Sequence, residues 1–186
     1  GECRFLLQNS FVCKYYFTLL PLFTYNNWLD NCDARFAYKE YLKQLQLLDF
    51  TYTNQHWVLK APTHTPFIRE VLEVLPDTRL IQIHRSPVEF VGSAISGVVT
   101  VRNCVLQNAD ACSIGQEFLS ELSHRMEQYL EARKAVGWNR FCDISYNRLV
   151  SAPIETVQKI YDFFGLNFSS ATKNKMSAWL EDNPQH

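Results

Sequence analysis

Two short apolar runs, Trp57-Val58-Leu59-Lys60 and Leu80-Ile81-Gln82-Ile83-His84, each end near a basic residue and pass within a few positions into a proline-started helix. Strands that alternate with helices in this way build a parallel sheet, because parallel neighbours need a crossover between them. The first run reads as a short buried strand. It continues through Ala61-Pro62-Thr63-His64 to Thr65, which can cap a helix whose first position is Pro66, where a missing N–H costs nothing. Ile68, Val71, Leu72 and Leu75 give that helix a core face, and Pro76-Asp77 ends it. The second run spans Arg79 to His84. After Arg85, the segment Ser86-Pro87-Val88-Glu89 is a strong helix start, with a capping serine, a proline in the first turn and Glu89 completing a capping box. That helix is expected to reach about Val101.

The remaining punctuation extends the pattern. Residues 4–20 and 35–48 read as helices, the second with Phe36, Tyr41, Leu42, Leu45 and Leu48 on one broad face. Ser113-Ile114-Gly115-Gln116 is a further capping box, opening a long helix with Phe118, Leu122, Met126 and Tyr129 at helical spacing and Gly137 at its end. Arg140 to Ser145 reads as a third strand, anchored by Phe141 and Ile144. Pro153 starts a helix through Phe164 that Gly165 closes as a left-handed cap, and Ser169 caps a last helix through Leu180. The expected architecture is α/β, a parallel sheet covered by helices on both faces. No repeat, low-complexity run or linker divides the chain, so residues 1–186 are expected to form one domain.

At 186 residues, with 13 Phe, 9 Tyr and 4 Trp, the chain has enough apolar bulk for a core. A formal net charge of −1 gives no sign of nucleic acid as partner, so an anion site must come from local placement of charge. Cys3, Cys13, Cys32, Cys104, Cys112 and Cys142 form no C-x-x-C pair, which argues against a zinc knuckle and for free buried thiols. The stretch from Phe5 to Phe23 is interrupted by Gln8, Asn9, Lys14 and Pro21 and is too broken for a membrane span. It also lacks the marks of a signal peptide. The start at Gly1 rather than Met and the closing Asn183-Pro184-Gln185-His186 suggest a fragment or processed product. Free thiols favour cytoplasm, whereas the sequon Asn167-Phe168-Ser169 allows a Golgi lumen. Self-association is left open.

In open parallel sheets, ligands sit beyond the carboxyl ends of the strands. Lys60, Arg85 and Tyr146 fall at or just after expected strand ends, so they are expected to gather on one edge. Arg85 precedes a capped helix whose free N–H groups and dipole favour an anion. Ser93, eight residues on, can add a hydroxyl donor from the same helix. A charge-assisted Arg–phosphate bond contributes about 1.5–3 kcal/mol net, which makes the pair a phosphate clamp. A structural reading stands beside each assignment. Arg85 can be a surface ion-pair partner, Lys60 a solvated strand end, His64 a polar loop residue, His84 a structural strand residue and Tyr146 a half-buried core aromatic. Tyr15, Tyr16, Phe23, Tyr25 and Trp28 can line an acceptor pocket or simply belong to the core.

In order along the chain, these segments resemble the sulfotransferase superfamily, in particular its bacterial-type branch. There a V-L-K-S/A-P-x-H stretch precedes an H-R-D/S-P stretch; the counterparts here are Trp57 to His64 and Leu75 to Pro87. Asp143 to Pro153 resembles that branch's R-Y-E-D-L-V-x-x-P, and Ile160 to Leu166 its Y-D-F-L-G-L. The likeness implies a three-layer sheet related to P-loop NTPases. It also implies a sulfuryl donor, 3′-phosphoadenosine 5′-phosphosulfate (PAPS), a small-molecule or glycan hydroxyl or amine acceptor, and no metal. By that likeness Arg85 and Ser93 match the residues that hold the donor's 3′-phosphate, and Tyr146 one near the adenine. Lys60 matches a residue that stabilises the leaving phosphate, and His64 is the candidate base.

The likeness has two gaps. The family's N-terminal strand with its R-S/T-G-T-S/T phosphosulfate loop has no counterpart in this sequence, nor does the basic, glycine-containing segment after the last helix. Asn147 also stands where an acid is usual after the tyrosine. The expectation is therefore a partial sulfotransferase domain truncated at both ends, with an exposed apolar sheet edge. The rival readings are a non-catalytic nucleotide-binding or interaction module of the same fold and, more remotely, a small-molecule kinase.

Overall fold

The computed structural model describes residues 2–51, 56–106 and 109–184 of the chain. Within them the chain divides into two compact units. Unit 1 contains residues 1–78 and 91–137, and unit 2 contains residues 79–90 and 138–186.

Unit 1 is helical. The stretch expected to be one N-terminal helix is broken into α1 (Arg4–Leu7), a 3₁₀ turn at Gln8–Ser10 and α2 (Tyr15–Leu19). Phe11 causes the break: it takes the left-handed conformation (φ 59°), a state uncommon outside glycine. Then follow α3 (Phe23–Asn31), which sequence reading missed, and α4 (Arg35–Thr51). On α4 the buried stripe is Ala37, Tyr38, Tyr41 and Leu45, at helical spacing, with Ala34 buried just before it. Phe36, expected to face the core, is exposed. The stripe packs with Leu7, Val12, Leu29, Phe67 and Val71 into one core cluster.

The expected strand at Trp57–Lys60 does not form; residues 56–61 are irregular. Trp57 and Val58 are exposed, and Leu59 and Ala61 pack on the core cluster. Cys3 takes the place of a strand neighbour. Its N–H donates to the Lys60 carbonyl at 3.1 Å, and its Sγ accepts the Lys60 N–H at 3.0 Å. The following turn is 3₁₀ over Pro62–Phe67 with Pro62, not Pro66, in its first turn, and α5 runs from Ile68 to Val74. Helix α7 (Ala111–Val136) packs on this turn and on α5. Asp110 caps α7 in place of Ser113, its carboxylate accepting the N–H groups of Cys112 and Ser113 at 3.2 and 3.1 Å.

Charges are buried inside unit 1. Lys14 contacts Asp30 and reaches Asn26 Oδ1 at 2.7 Å and Glu121 Oε1 at 2.7 Å. Arg125 Nε lies 3.2 Å from Glu121 Oε1. Burial pushes the Glu121 carboxyl up, but the Lys14 and Asn26 hydrogen bonds outweigh it and hold the group below its usual range. Arg102 is also buried. It binds Glu117 through both terminal nitrogens, at 2.9 and 2.6 Å, and donates to the last carbonyls of α2, Phe17 O and Thr18 O.

Unit 2 carries the sheet. Strand β1 (Leu80–His84) pairs in parallel with β2 (Phe141–Ser145), with Leu80 opposite Phe141 and His84 opposite Ser145. Phe141, Cys142 and Ile144 are buried, whereas Ile81 and Ile83 of β1 are exposed. Helix α6 (Pro87–Asn103) starts four residues after Ile83; the unit boundary falls within it. Helix α8 (Tyr146–Ser151) follows β2 with no intervening residue. Then come α9 (Pro153–Phe163) and α10 (Ser170–Asp182). Gly165 has φ 63° and closes α9, and the Ser169 hydroxyl accepts the Thr172 N–H at 3.1 Å, both as expected. All six cysteines are free; Cys3, Cys13 and Cys142 are buried and Cys104 and Cys112 exposed. Among the described residues no helix is long and apolar enough to cross a membrane.

The core cluster predicts a sharp contrast. Leu29→Ala, which empties a fully buried site, should cost about 2–5 kcal/mol in urea unfolding, whereas Phe36→Ala should stay within about 1 kcal/mol. Equal losses would refute this core assignment.

Candidate functional site

Two of the five candidate residues come together at the carboxyl ends of the strands in unit 2. The Arg85 guanidinium carbon lies 4.8 Å from the centre of the Tyr146 ring. Arg85 follows β1 directly and Tyr146 begins α8 directly after β2, so the parallel register itself sets this cation–π contact. Arg85 Nε also lies 3.4 Å from Glu89 Oε2, one helical turn on. The capping-box glutamate thus reaches back to Arg85. Both side chains are partly open to solvent, so the pair contributes little to stability and holds a cation in place at a strand end.

Beside it lies an open hollow of about 530 Å³, lined by Asp143, Ser145, Asn147, Arg148, Ser151, Thr156 and Lys159 among others. Thr156 is buried and donates to Ala152 O at 2.8 Å, which fixes the start of α9 under this hollow. Across the sheet His84 Nε2 lies 2.6 Å from Asp143 Oδ1. Sequence reading had assigned His84 a structural role and had given Asp143 none, because only the strand register brings them together.

The other three candidates belong to unit 1. Lys60 forms an ion pair with Glu2 and holds its carboxyl below the usual range, chiefly through that hydrogen bond. The Lys60 ammonium is largely exposed. Ser93 is exposed on α6. His64 is set among aromatic rings. Its Nδ1 lies 3.0 Å from Tyr38 Oη, and the centres of the Tyr38 and Tyr41 rings are each 5.8 Å from its own. Its Nε2 is buried and has no hydrogen-bond partner. Burial pushes its pKa down to about 4, so the ring is neutral near pH 7. Of the aromatic residues named for an acceptor pocket, Phe23 and Trp28 are exposed, while Tyr25 donates to Phe11 O at 2.6 Å and packs on the core cluster.

The model of a sulfotransferase family matches residues 1–170 of the chain. The chain belongs to that family. It superimposes over its full length on the crystal structure of sulfotransferase STF9 from Mycobacterium avium, with a TM-score of 0.94 and 27% sequence identity, covering 48% of that chain. Sulfotransferase STF1 from Mycobacterium tuberculosis is similar over 95% of this chain and 48% of its own, with a TM-score of 0.88 and 28% identity. A Mycobacterium bovis protein named omega-hydroxy-beta-dihydromenaquinone-9 sulfotransferase is 25% identical over 130 residues, which are 69% of this chain and 34% of the relative. The present chain thus spans about half of the solved sulfotransferases and about a third of that curated relative. The sulfotransferase-like fold, helix-rich with a small parallel sheet, agrees with the α/β expectation.

The His64 environment yields a pH prediction. In the unfolded chain the ring binds a proton below about pH 6.5, and in the folded protein only below about 4. Between these values the unfolded state holds the extra proton. Stability should therefore fall as pH drops from about 6.5 towards 4, by up to about 3 kcal/mol from this group. Urea midpoints at about pH 7.5 and 5 should differ less in His64→Gln than in the parent protein. An identical pH dependence in both would show that His64 is not buried neutral.

Proposed function

We propose that this chain carries part of a sulfotransferase that moves a sulfuryl group from PAPS to a hydroxyl or amine on a small molecule or glycan. The observation that supports it best is the Arg85–Tyr146 pair at the strand ends of a chain whose first 170 residues match the family. In this reading the chain is one partial domain of a three-layer, P-loop-like fold, it acts in the cytoplasm, and it needs no metal. Arg85 and Ser93 bind the donor's 3′-phosphate, where the guanidinium supplies charge-assisted bonds and the hydroxyl a neutral one. Tyr146 offers its ring to the adenine while it orients Arg85. Lys60 supplies positive charge to the phosphate oxygen on which the bond to sulfur breaks. The acceptor's proton passes to an imidazole, and His64, neutral near pH 7, is the candidate named from sequence. The alternative is a non-catalytic nucleotide-binding module, which keeps the phosphate contacts without transfer.

Binding of adenosine 3′,5′-bisphosphate tests the reading. Calorimetry should show binding that Arg85→Ala weakens by roughly 10- to 100-fold, the loss of about 1.5–3 kcal/mol for a charge-assisted contact. No binding by a well-folded parent protein would remove the nucleotide claim. Binding without transfer to any acceptor would favour the non-catalytic module.

A further inference from the structure

The sequence predicts that Glu89 completes a capping box by reaching back to the Ser86 N–H at the start of α6. In the structure its carboxylate turns elsewhere. Among the described residues Glu89 makes no hydrogen bond to that N–H, and its Oε2 instead lies 3.4 Å from Arg85 Nε. The first turn of α6 closes through its backbone, with Phe90 N–H donating to Ser86 O at 3.0 Å. The Arg85 and Glu89 side chains are 40% and 60% exposed, so their ion pair adds little to the stability of the fold. It still fixes the direction in which the guanidinium points.

That guanidinium is held from two directions. The Tyr146 ring lies against it, with its centre 4.8 Å from the guanidinium carbon. Glu89 takes the Nε–H, the donor nearest the stem. The other donors of the planar fork sit on the terminal nitrogens, Nη1 and Nη2. Neither of these makes a hydrogen bond among the described residues. They are the donors that grip a phosphate end-on through two parallel bonds. Arg85, Glu89 and Tyr146 all belong to unit 2, where the β1–β2 register and the first turn of α6 set their arrangement.

We propose that Glu89 is a positioning residue of the nucleotide site: it holds Arg85 so that the terminal fork, and not the Nε edge, meets the donor's 3′-phosphate. This rests on the sulfotransferase reading above, which seats that phosphate on Arg85. A long side chain that is free before binding must be immobilised by it, and the lost freedom weakens affinity. Glu89 and Tyr146 impose the order beforehand. The same carboxylate also opposes binding, because its negative charge repels the phosphate. The two effects have opposite signs, and substitutions separate them. Glutamine keeps an oxygen that accepts from Nε–H and drops the charge. Aspartate keeps the charge and suits the first turn of a helix, but it is a methylene too short to reach Arg85. Alanine loses both charge and contact.

Calorimetric titration with adenosine 3′,5′-bisphosphate is the test. Glu89→Asp should weaken binding by roughly two- to tenfold, the cost of immobilising one long side chain. Glu89→Ala should weaken it less, because the repulsion goes as well. Glu89→Gln should bind at least as tightly as the parent. In an Arg85→Ala background, Glu89→Asp should alter affinity by less than about twofold, since the side chain it positions is gone. A glutamate acting through charge alone would give a different pattern: tighter binding in both Glu89→Gln and Glu89→Ala and no change in Glu89→Asp. A glutamate that only supports the start of α6 would leave Glu89→Asp like the parent and weaken the other two together, with or without Arg85. Either pattern would overturn the proposal. Parent binding with an unaffected Glu89→Asp removes the role of Glu89 alone. A well-folded parent that binds no nucleotide removes the sulfotransferase reading and this proposal together.

Discussion

The parallel pairing of β1 with β2 is the interaction on which the candidate chemistry depends. Arg85, Tyr146, His84 and Asp143 come from segments about 60 residues apart. No direct side-chain chemistry would draw them together, since an exposed cation–π contact and a solvent-facing His–Asp contact are each worth little in water. The backbone ladder brings them into contact by pairing Leu80 to His84 with Phe141 to Ser145 in order. The buried side chains of β2 hold that ladder down.

Unit 1 is organised on a different principle. Its core is aliphatic and aromatic, but it also encloses Lys14, Asp30, Glu121 and Arg125 as a charge-balanced set, with Arg102 and Glu117 as a second pair. Taking such groups out of water is costly, and opposite charges beside them offset it, with hydrogen bonds added at Lys14, Glu121 and Arg102. Interactions of this kind constrain which helix lies against which more than they add net stability. Losing one partner would leave a buried charge unmatched.

Much of the chain could be read in advance where the signal is local. Pro87, Gly137, Gly165 and Ser169 mark helix ends through their own backbone or side-chain chemistry, and each lies at a helix end in the structure. The two strands that pair were recognised from their short apolar runs and the turns that bound them. The errors fall where the answer depends on distant residues. Trp57–Lys60 has strand composition, but a strand needs a neighbour, and Cys3 supplies a single point of attachment instead. The N-terminal helix breaks at Phe11, a residue type that gives no warning of a left-handed turn. Of the candidate site, Arg85 and Tyr146 were legible because they sit at strand ends. The His84–Asp143 contact was not, because it depends on strand register.

The direct passage from β2 into α8 at Ser145–Tyr146 has a consequence for how this region can vary. A loop absorbs insertions; a strand that becomes a helix without one cannot. Adding or removing one residue between Phe141 and Asp143 would turn Asp143 to the opposite face of the sheet, and a change anywhere up to Tyr146 would move Tyr146 off Arg85. Many single substitutions are compatible with this segment, but no change of length is. Descendants of such a chain are therefore expected to diverge here in residue identity and to keep a fixed count of residues from Phe141 to Pro153.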